Sequence, residues 1–253
     1  MENFAAIVLA AGKGTRLAGG TPSPKPKVLY ELAGRPMIAY TLSLLKKVGA
    51  EEIVVVVGYK AAEVKKVAGE GYKFATQSKQ LGTGHAVSVG LSQVTSSAGN
   101  ILVVNGDDSA FYNPETIQKV LNKHVGKGGV VTFVSLDVED PTGLGRVIRE
   151  EERVIGIIEE KIASSEQKKI KEVNDGVYVF RRSWLGENLP KIKKSPVGEY
   201  YLVDLVSLAV LQGEEVGVFK LLNTDEWRGV NTKEELIAAD RLMRERLKNA
   251  SQK

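Results

Sequence analysis

Short apolar runs alternate with amphipathic stretches over about the first 135 residues of the chain. The runs are uniformly apolar and rich in β-branched side chains, a pattern that predicts strands buried on both faces of a parallel sheet. They fall at residues 7–9, 53–57, 101–104 and 130–134. The stretches between them carry apolar residues at helical spacing. We therefore expect strands and helices to alternate along this half of the chain.

Four helices are predicted in this half. Three of them fall at residues 37–48, 61–67 and 84–94. Asn113 and Pro114 are typical of a helix N-cap and a first helical position, and they open a fourth helix that runs through Val120. Strands that alternate with helices in this way predict an α/β fold with a doubly wound, mostly parallel, Rossmann-like sheet and right-handed crossovers.

The pattern changes after about residue 135. It predicts a hairpin at residues 147–148 and 154–158, a strand at 173–180, a helix at 199–212, a strand at 216–221 and a charged helix at 232–248. We expect this half to form a smaller α+β lobe over the strand ends of the first half. Because no repeat or low-complexity linker separates the halves, we expect one domain over residues 1–253, with parts at about 1–135, 136–231 and 232–253.

Composition excludes several classes of site. The chain has no cysteine and two histidines, which excludes disulfides, thiolate metal sites and a cysteine nucleophile and disfavours a histidine-rich metal site. No apolar stretch reaches the roughly 18 residues needed to span a bilayer. Residues 1–4 lack the basic region of a signal peptide ahead of the short apolar run that follows, so we interpret that run as a core strand and expect a cytoplasmic protein. The net charge is +4, but the lysines are scattered, and we expect no nucleic-acid partner.

A glycine-rich loop with two cations follows the first strand, as Gly12-Lys13-Gly14-Thr15-Arg16. It matches neither the P-loop nor the dinucleotide fingerprint, because Gly14 stands where the P-loop has Ser or Thr and Leu17 stands where the fingerprint has its third glycine. A proline-rich segment at 21–26 follows, and then Lys27. Glycine N–H groups can form an anion nest, a guanidinium can bind two oxygens and an ammonium adds a point charge. The loop therefore predicts phosphate binding.

This loop, G-x-G-T-R followed by P-K-V-L, resembles that of the sugar-1-phosphate nucleotidylyltransferases. Further motifs are similar to the uridylyltransferase domain of GlmU-type enzymes over nearly the whole chain. These are Q-S-K-Q-L-G-T-G-H-A at 77–86, D-P-T-G-L-G-R at 140–146, I-E-E-K at 158–161, E-V-N at 172–174, G-E-Y-Y-L-V-D at 198–204 and G-V-N at 229–231. The left-handed β-helix acetyltransferase domain of those enzymes is not among the 253 residues, so a monomer and a weak dimer both stay open.

The resemblance implies the fold of the nucleotide-diphospho-sugar transferases and Mg²⁺-dependent transfer of a uridylyl group from UTP to N-acetylglucosamine-1-phosphate. It implies Arg16, Lys27 and Asp107 as catalytic residues and Asp107 with Asn231 as Mg²⁺ ligands. It implies a sugar site of Gly145, Glu159 and Asn174. The residues that it implies for the nucleotide are Leu9, Ala10, Ala11, Gly12, Gly14, Gln77, Gly82, Thr83, Asn105 and Gly106.

Three features depart from the GlmU pattern. Asp108 follows the metal aspartate where that pattern has an apolar residue, Asp175 stands where it has threonine, and the loop from Arg16 to Lys27 is a few residues longer. The longer loop is similar to that of glucose-1-phosphate thymidylyl- and uridylyltransferases. Another sugar (glucose or N-acetylgalactosamine), another nucleotide (dTTP) and a non-catalytic module that binds sugar nucleotides therefore stay open as alternatives.

Overall fold

A computed structural model describes residues 3–250. Met1 and Glu2, and residues 251–253 of the last predicted part, lie outside the described residues. The strands are β1 (Phe4–Ala10), β2 (Glu31–Leu32), β3 (Arg35–Pro36), β4 (Glu52–Val57), β5 (Lys73–Thr76), β6 (Asn100–Asn105), β7 (Val131–Asp137), β8 (Gly145–Glu150), β9 (Arg153–Ile158), β10 (Glu172–Arg181) and β11 (Val216–Lys220).

Seven α-helices lie within the same residues. They are α1 (Met37–Val48), α2 (Ala61–Ala68), α3 (Thr83–Leu91), α4 (Pro114–Lys127), α5 (Arg182–Asn188), α6 (Asp204–Leu211) and α7 (Lys233–Ala250). In this part of the chain no helix is long and apolar enough to cross a bilayer.

The main sheet runs in the order β11-β7-β10-β6-β1-β4-β5. β5, β4, β1 and β6 are parallel, as are β7 and β11, while β10 is antiparallel to both of its neighbours. The β8–β9 hairpin joins this sheet through β10. The predicted α/β fold with a mostly parallel sheet is confirmed.

The second half of the chain extends this sheet as well as covering it. β10 lies between β6 and β7, so strands from the two halves pair directly. Apolar side chains alternate between the two faces: Ile7 packs into the cluster on one face and Val8 into the cluster on the other. This burial on both faces explains the uniformly apolar strands of the first half.

Several elements differ from the sequence prediction: β2, β3, β5 and α5 were not predicted, and one helix begins later than expected. The helix predicted at 199–212 begins only at Asp204, because the backbone of Tyr200 pairs elsewhere: its N–H donates to Leu81 O at 2.7 Å and its carbonyl accepts from Gly84 N at 2.8 Å. Strand β5 was not predicted. Its four residues, K-F-A-T, are too short and too mixed to show a period.

Candidate active site

The predicted site residues surround one cleft of about 690 Å³ at the carboxyl ends of β1 and β6, where open α/β sheets bind ligands. Those that line it are Leu9, Ala10, Ala11, Gly12, Gly14, Arg16, Lys27, Gln77, Gly82, Thr83, Asn105, Asp107, Gly145, Glu159, Asn174 and Asn231. Gly106 does not line the cleft. Its N–H donates to Leu9 O at 3.0 Å, and a Cβ there would lie 3.1 Å from Val28 Cγ1, so close packing requires this glycine.

The glycine-rich loop is folded back against the proline-rich segment. Gly14 has φ +62°, and a Cβ there would lie 3.3 Å from the Cβ atoms of both Ser23 and Lys27. The N–H of Ser23 donates to Lys13 O at 3.0 Å, and its carbonyl accepts from Tyr59 OH at 2.7 Å. Segment 21–26 therefore packs against the glycine-rich loop and holds its backbone in place. Lys13 itself does not line the cleft.

Lys27 lies at the centre of a cluster of oxygens. Its ammonium forms an ion pair with Asp107, donates to Asn231 Oδ1 at 3.1 Å and lies 3.7 Å from Asp108 Oδ1. Burial alone would lower the pKa of Lys27, but the charges of Asp107 and Asp108 outweigh it and the pKa is raised. A short helical turn over Lys27–Leu29 with two buried apolar side chains anchors the residue. The cluster joins three segments that are far apart in sequence.

Asp108 points into this cluster. Asn105 Nδ2 donates to its Oδ2 at 3.4 Å. Burial, together with the neighbouring Asp107 charge, raises the pKa of Asp108 to about 6. The departure from the GlmU pattern at this position thus places a second carboxyl group beside the predicted metal ligand.

Gln77 lies on the opposite wall, at the end of β5. The side chain is 3% exposed, and its Nε2 donates to Gly82 O at 3.1 Å and lies 3.0 Å from His85 Nδ1. Gly82 has φ +101°, and a Cβ there would lie 2.5 Å from Tyr200 O, so only glycine fits. The amide nitrogen of Gln77 is committed to the protein, which leaves its amide oxygen to accept a hydrogen bond from a ligand.

The predicted sugar residues come from three strands or strand ends. Gly145 of β8 pairs with Asn174 of β10, and Glu159 directly follows β9. Asn174 Nδ2 donates to Tyr178 OH at 2.6 Å across a register shift in β10. Burial raises the pKa of Glu159, and the charge of Glu199 adds to this.

Asp175 lies beside Asn174 and is 6% exposed. Its carboxyl group is hydrogen-bonded to the hydroxyl of Tyr112, a residue on the loop that follows Asp107 and Asp108. Burial raises the pKa of Asp175 to about 8, although the Tyr112 hydrogen bond acts in the opposite direction. Sequence reasoning missed Tyr112, because nothing in its local pattern distinguishes it from a core aromatic residue.

Arg16 spans the cleft. Its Nη1 donates to Gly143 O, in the loop before β8, at 3.4 Å. The guanidinium is exposed and thus free to turn toward a bound anion. Arg16 therefore connects the glycine-rich loop with the side of the cleft that carries Gly145.

The sequence model of the Nucleotidyl transferase family matches residues 5–246, nearly the whole chain and all of the cleft. The chain belongs to this family. Its membership agrees with the cleft geometry, in which the glycine-rich loop faces a lysine, two carboxyl groups and an amide, and it identifies the chain as a nucleotidyltransferase.

Two relatives of this nucleotidyltransferase are bifunctional GlmU proteins. That of Thermoanaerobacter pseudethanolicus is 38% identical over 249 residues, which are 98% of this chain and 53% of the relative. That of Exiguobacterium sibiricum is 40% identical over 246 residues, 96% of this chain and 54% of the relative. The chain thus spans about half the length of these curated relatives.

A solved structure shares the fold. It is a Bacillus anthracis protein described as a glucose-1-phosphate thymidylyltransferase, crystallised with a sucrose. The TM-score is 0.79 at 21% identity, with 95% of each chain covered. At this identity the likeness concerns the fold alone.

Proposed function

We propose that this nucleotidyltransferase transfers a uridylyl group from UTP to N-acetylglucosamine-1-phosphate, with release of pyrophosphate and formation of UDP-N-acetylglucosamine. The observation that carries the proposal is the convergence of Lys27, Asp107 and Asn231 at one point of a cleft that holds a phosphate loop at one end and the predicted sugar residues at the other. The GlmU relatives support this choice of substrates.

The nucleotide base is recognised at the wall of the cleft that carries Gln77. The amide oxygen of Gln77 accepts a hydrogen bond from the uracil N–H, while small residues at Ala10, Ala11 and Gly82 leave room for a pyrimidine. A site that hydrogen-bonds a base edge rejects a wrong base strongly, because buried polar groups are then left without partners. The glycine-rich loop and Arg16 hold the triphosphate.

The sugar is held at the opposite end. Glu159 and Asn174 bind sugar hydroxyl groups, and the close backbone at Gly145 faces the N-acetyl group. Asp175 is tied to Tyr112 and largely buried, so it shapes this end of the cleft from behind Asn174.

The reaction needs no general base, because the attacking sugar-phosphate oxygen is already an anion. That oxygen forms a bond to the α-phosphorus of UTP in line with the bond that breaks, and pyrophosphate leaves with the bonding electron pair. The main contribution to the activation barrier is the electrostatic repulsion between the two negatively charged substrates. Arg16 and Lys27 lower this barrier by neutralising charge and by holding the phosphates in the reacting geometry.

Asp107 and Asn231 are the residues that would hold Mg²⁺. Oxygens of both side chains already converge on one positive charge, the Lys27 ammonium. Asp108 Oδ1 lies buried in the same place without a hydrogen-bond partner among residues 3–250. A few carboxylate and amide oxygens suit Mg²⁺, which takes phosphate and water as its other ligands, so the residues present fit this cation. When bound, Mg²⁺ supplies charge neutralisation at the phosphates.

A second choice of substrates has a structural observation in its favour. The buried Asp175–Tyr112 pair and the long, well-fixed segment 21–26 both depart from the GlmU pattern. A nucleotidyltransferase for another sugar phosphate (glucose or N-acetylgalactosamine) or for dTTP would share the same cleft and chemistry. A binding module without activity is disfavoured by membership of an enzyme family.

The test is pyrophosphate release with Mg²⁺ across UTP, dTTP, CTP, ATP and GTP, each paired with a panel of sugar-1-phosphates. We expect the highest kcat/KM for UTP with N-acetylglucosamine-1-phosphate. A different preferred sugar would replace that substrate and point to the Asp175 region, and a different preferred nucleotide would contradict the role given to Gln77. No release with any pair would contradict the proposal as a whole.

A further inference from the structure

A separate apolar cluster lies under the oxygens that surround Lys27. Its members are Leu32, Met37, Ala110, Phe111, Val230, Ala239 and Met243. They come from four segments: the chain after Lys27, the loop after Asp107, the residue before Asn231, and helix α7. Each of the three segments that meet at the oxygens is therefore packed, a few residues away, against the same helix.

Polar contacts from α7 reinforce this packing at all three segments. Glu235 accepts from the N–H groups of Asn231 and, at 3.0 Å, Thr232, while Thr232 Oγ1 accepts from Glu235 N at 3.1 Å. This reciprocal pair is a capping box, and it fixes the backbone of Asn231.

The other two segments are held further along the helix. Asp240 accepts from the N–H of Ala33 at 2.7 Å, in the chain that follows Lys27. Arg246 donates to Phe111 O and to Asn113 Oδ1, in the loop that follows Asp107. Helix α7 thus makes a directed polar contact with every segment that supplies a group to the cluster around Lys27, and none of the three side chains lines the cleft.

We propose that α7 sets the affinity of the cleft for the divalent cation, with Glu235, Asp240 and Arg246 as positioning residues. The inference rests on the proposed function, because it concerns the cation that Asp107 and Asn231 would hold. Residues that orient metal ligands without touching the metal change its affinity by on the order of 10-fold or more when they are removed.

The test measures Mn²⁺ binding to the whole chain, without substrates, by titration calorimetry or electron paramagnetic resonance. Glu235→Ala and Arg246→Ala should each raise the dissociation constant for Mn²⁺ by on the order of 10-fold. The Mg²⁺ concentration for half-maximal turnover should rise along with the dissociation constant for Mn²⁺. At saturating Mg²⁺, kcat should stay within about twofold of that of the unaltered chain, because the ligand oxygens of Asp107 and Asn231 are displaced and not removed.

Matched controls separate positioning from general loss of helix stability. Glu235→Gln keeps an acceptor for the capping box and should restore Mn²⁺ affinity. Glu234→Ala changes an exposed carboxylate in the same turn. Arg241→Ala removes an exposed arginine whose guanidinium pairs with Glu245 of the same helix, at 3.1 Å. Neither control should change the dissociation constant. Should Glu235→Ala fail to fold, Arg246→Ala carries the test from the other end of the helix.

An Asp107→Asn variant distinguishes a failure of the role proposed for α7 from a failure of the proposed cation site. If it loses Mn²⁺ binding while Glu235→Ala and Arg246→Ala bind as the unaltered chain does, the role of α7 is wrong and the proposed cation residues stand. If Asp107→Asn binds Mn²⁺ unchanged, the cation site of the proposed function is wrong, and the inference falls with it.

Discussion

The side of the cleft proposed to bind the nucleotide and the side proposed to bind the sugar are built in different ways. On the proposed nucleotide side, Gly12–Arg16 follows β1 and Asn105–Asp108 lies at the end of β6, each as one continuous segment, while Lys27 and Asn231 join Asp107 by tertiary contact. On the sugar side, Gly145, Glu159 and Asn174 come from separate antiparallel strands and meet through sheet register. The strand-end segments of the first side are thus specified by local sequence, whereas the second side depends throughout on tertiary pairing.

The charges differ between the two sides as well. Lys27 on the nucleotide side is paired with Asp107, and the pair of opposite charges raises its pKa. On the sugar side, burial dominates and raises the pKa of both Glu159 and Asp175. Under the proposed function, charge pairing is concentrated where the phosphates would react, and carboxyl groups whose pKa is raised by burial lie where sugar hydroxyl groups would bind.

The largest expected effect is the loss of turnover when either member of the Lys27–Asp107 ion pair is removed. Lys27→Ala and Asp107→Ala should each lower turnover by more than about tenfold, because each removes a charge that acts on the reacting phosphates. Lys25→Ala is the matched control: Lys25 is in the same loop, and its ammonium lies over the Tyr30 ring. Steady-state pyrophosphate release measures all three. Near-normal turnover in both Lys27→Ala and Asp107→Ala would refute the assignment.

A pair of glycine substitutions compares the rigidity of the two sides. Gly82→Ala should destabilise the fold by roughly 2–4 kcal/mol, because its φ is +101° and the new Cβ would lie 2.5 Å from a backbone oxygen. Gly176→Ala should cost less, roughly 1–2 kcal/mol, because its Cβ would meet the Asn105 side chain, which can move.

Urea unfolding measures both glycine variants. Gly126→Ala is the control, since Gly126 is an exposed position of α4 with no atom within 4 Å of the added Cβ, and it should be neutral or stabilising. Equal destabilisation by Gly82→Ala and Gly176→Ala would show that the two sides do not differ in rigidity.

A pH dependence of stability is expected at Asp175. Its pKa is raised to about 8 in the fold, while the unfolded chain releases the proton near the ordinary value of 3.8. The stabilising contribution of the neutral form is therefore complete below that ordinary value and is lost as pH rises to about 8. Tyr112 and Asp108 face the group, and Asp108 raises its pKa further.

Asp175→Asn has no proton to release at this position. Its melting temperature relative to the unaltered chain should therefore rise from about pH 5 to about pH 8 and level off above that. Calorimetry at several pH values measures the difference. A constant difference across the range would mean that Asp175 is not buried as a neutral acid.

Most of the fold could be predicted from the sequence, because strands buried on both faces leave uniformly apolar runs and the α1 face repeats at helical spacing. The insertion of β10 between β6 and β7 could not, since strand order is a tertiary property that no local pattern carries. The late start of α6 has the same origin: residues 199–203 favour a helix locally, but Tyr200 pairs with the chain around Gly84.

The site residues likewise divide into those that local sequence motifs identify and those that depend on tertiary contacts. The residues that motifs identify converge on the cleft, apart from Gly106, which packs behind it. Tyr112 and Arg246 could not be found in this way, because their roles depend on contacts with residues 63 and 133–135 positions away. Glu235 carries a local signal that could have identified it, the T-x-x-E pattern of a capping box that begins at Thr232. Tyr112 has the local pattern of an ordinary core aromatic residue, and Arg246 that of a charged helix.

The most direct test of the two-sided cleft compares the Michaelis constants of two variants, Gln77→Ala and Glu159→Gln, for the nucleotide and for the sugar phosphate separately. We expect Gln77→Ala to raise KM for UTP alone and Glu159→Gln to raise KM for the sugar-1-phosphate alone, since each side chain faces one end of the cleft. If both constants rise together in both variants, the division of the cleft into a nucleotide side and a sugar side is wrong.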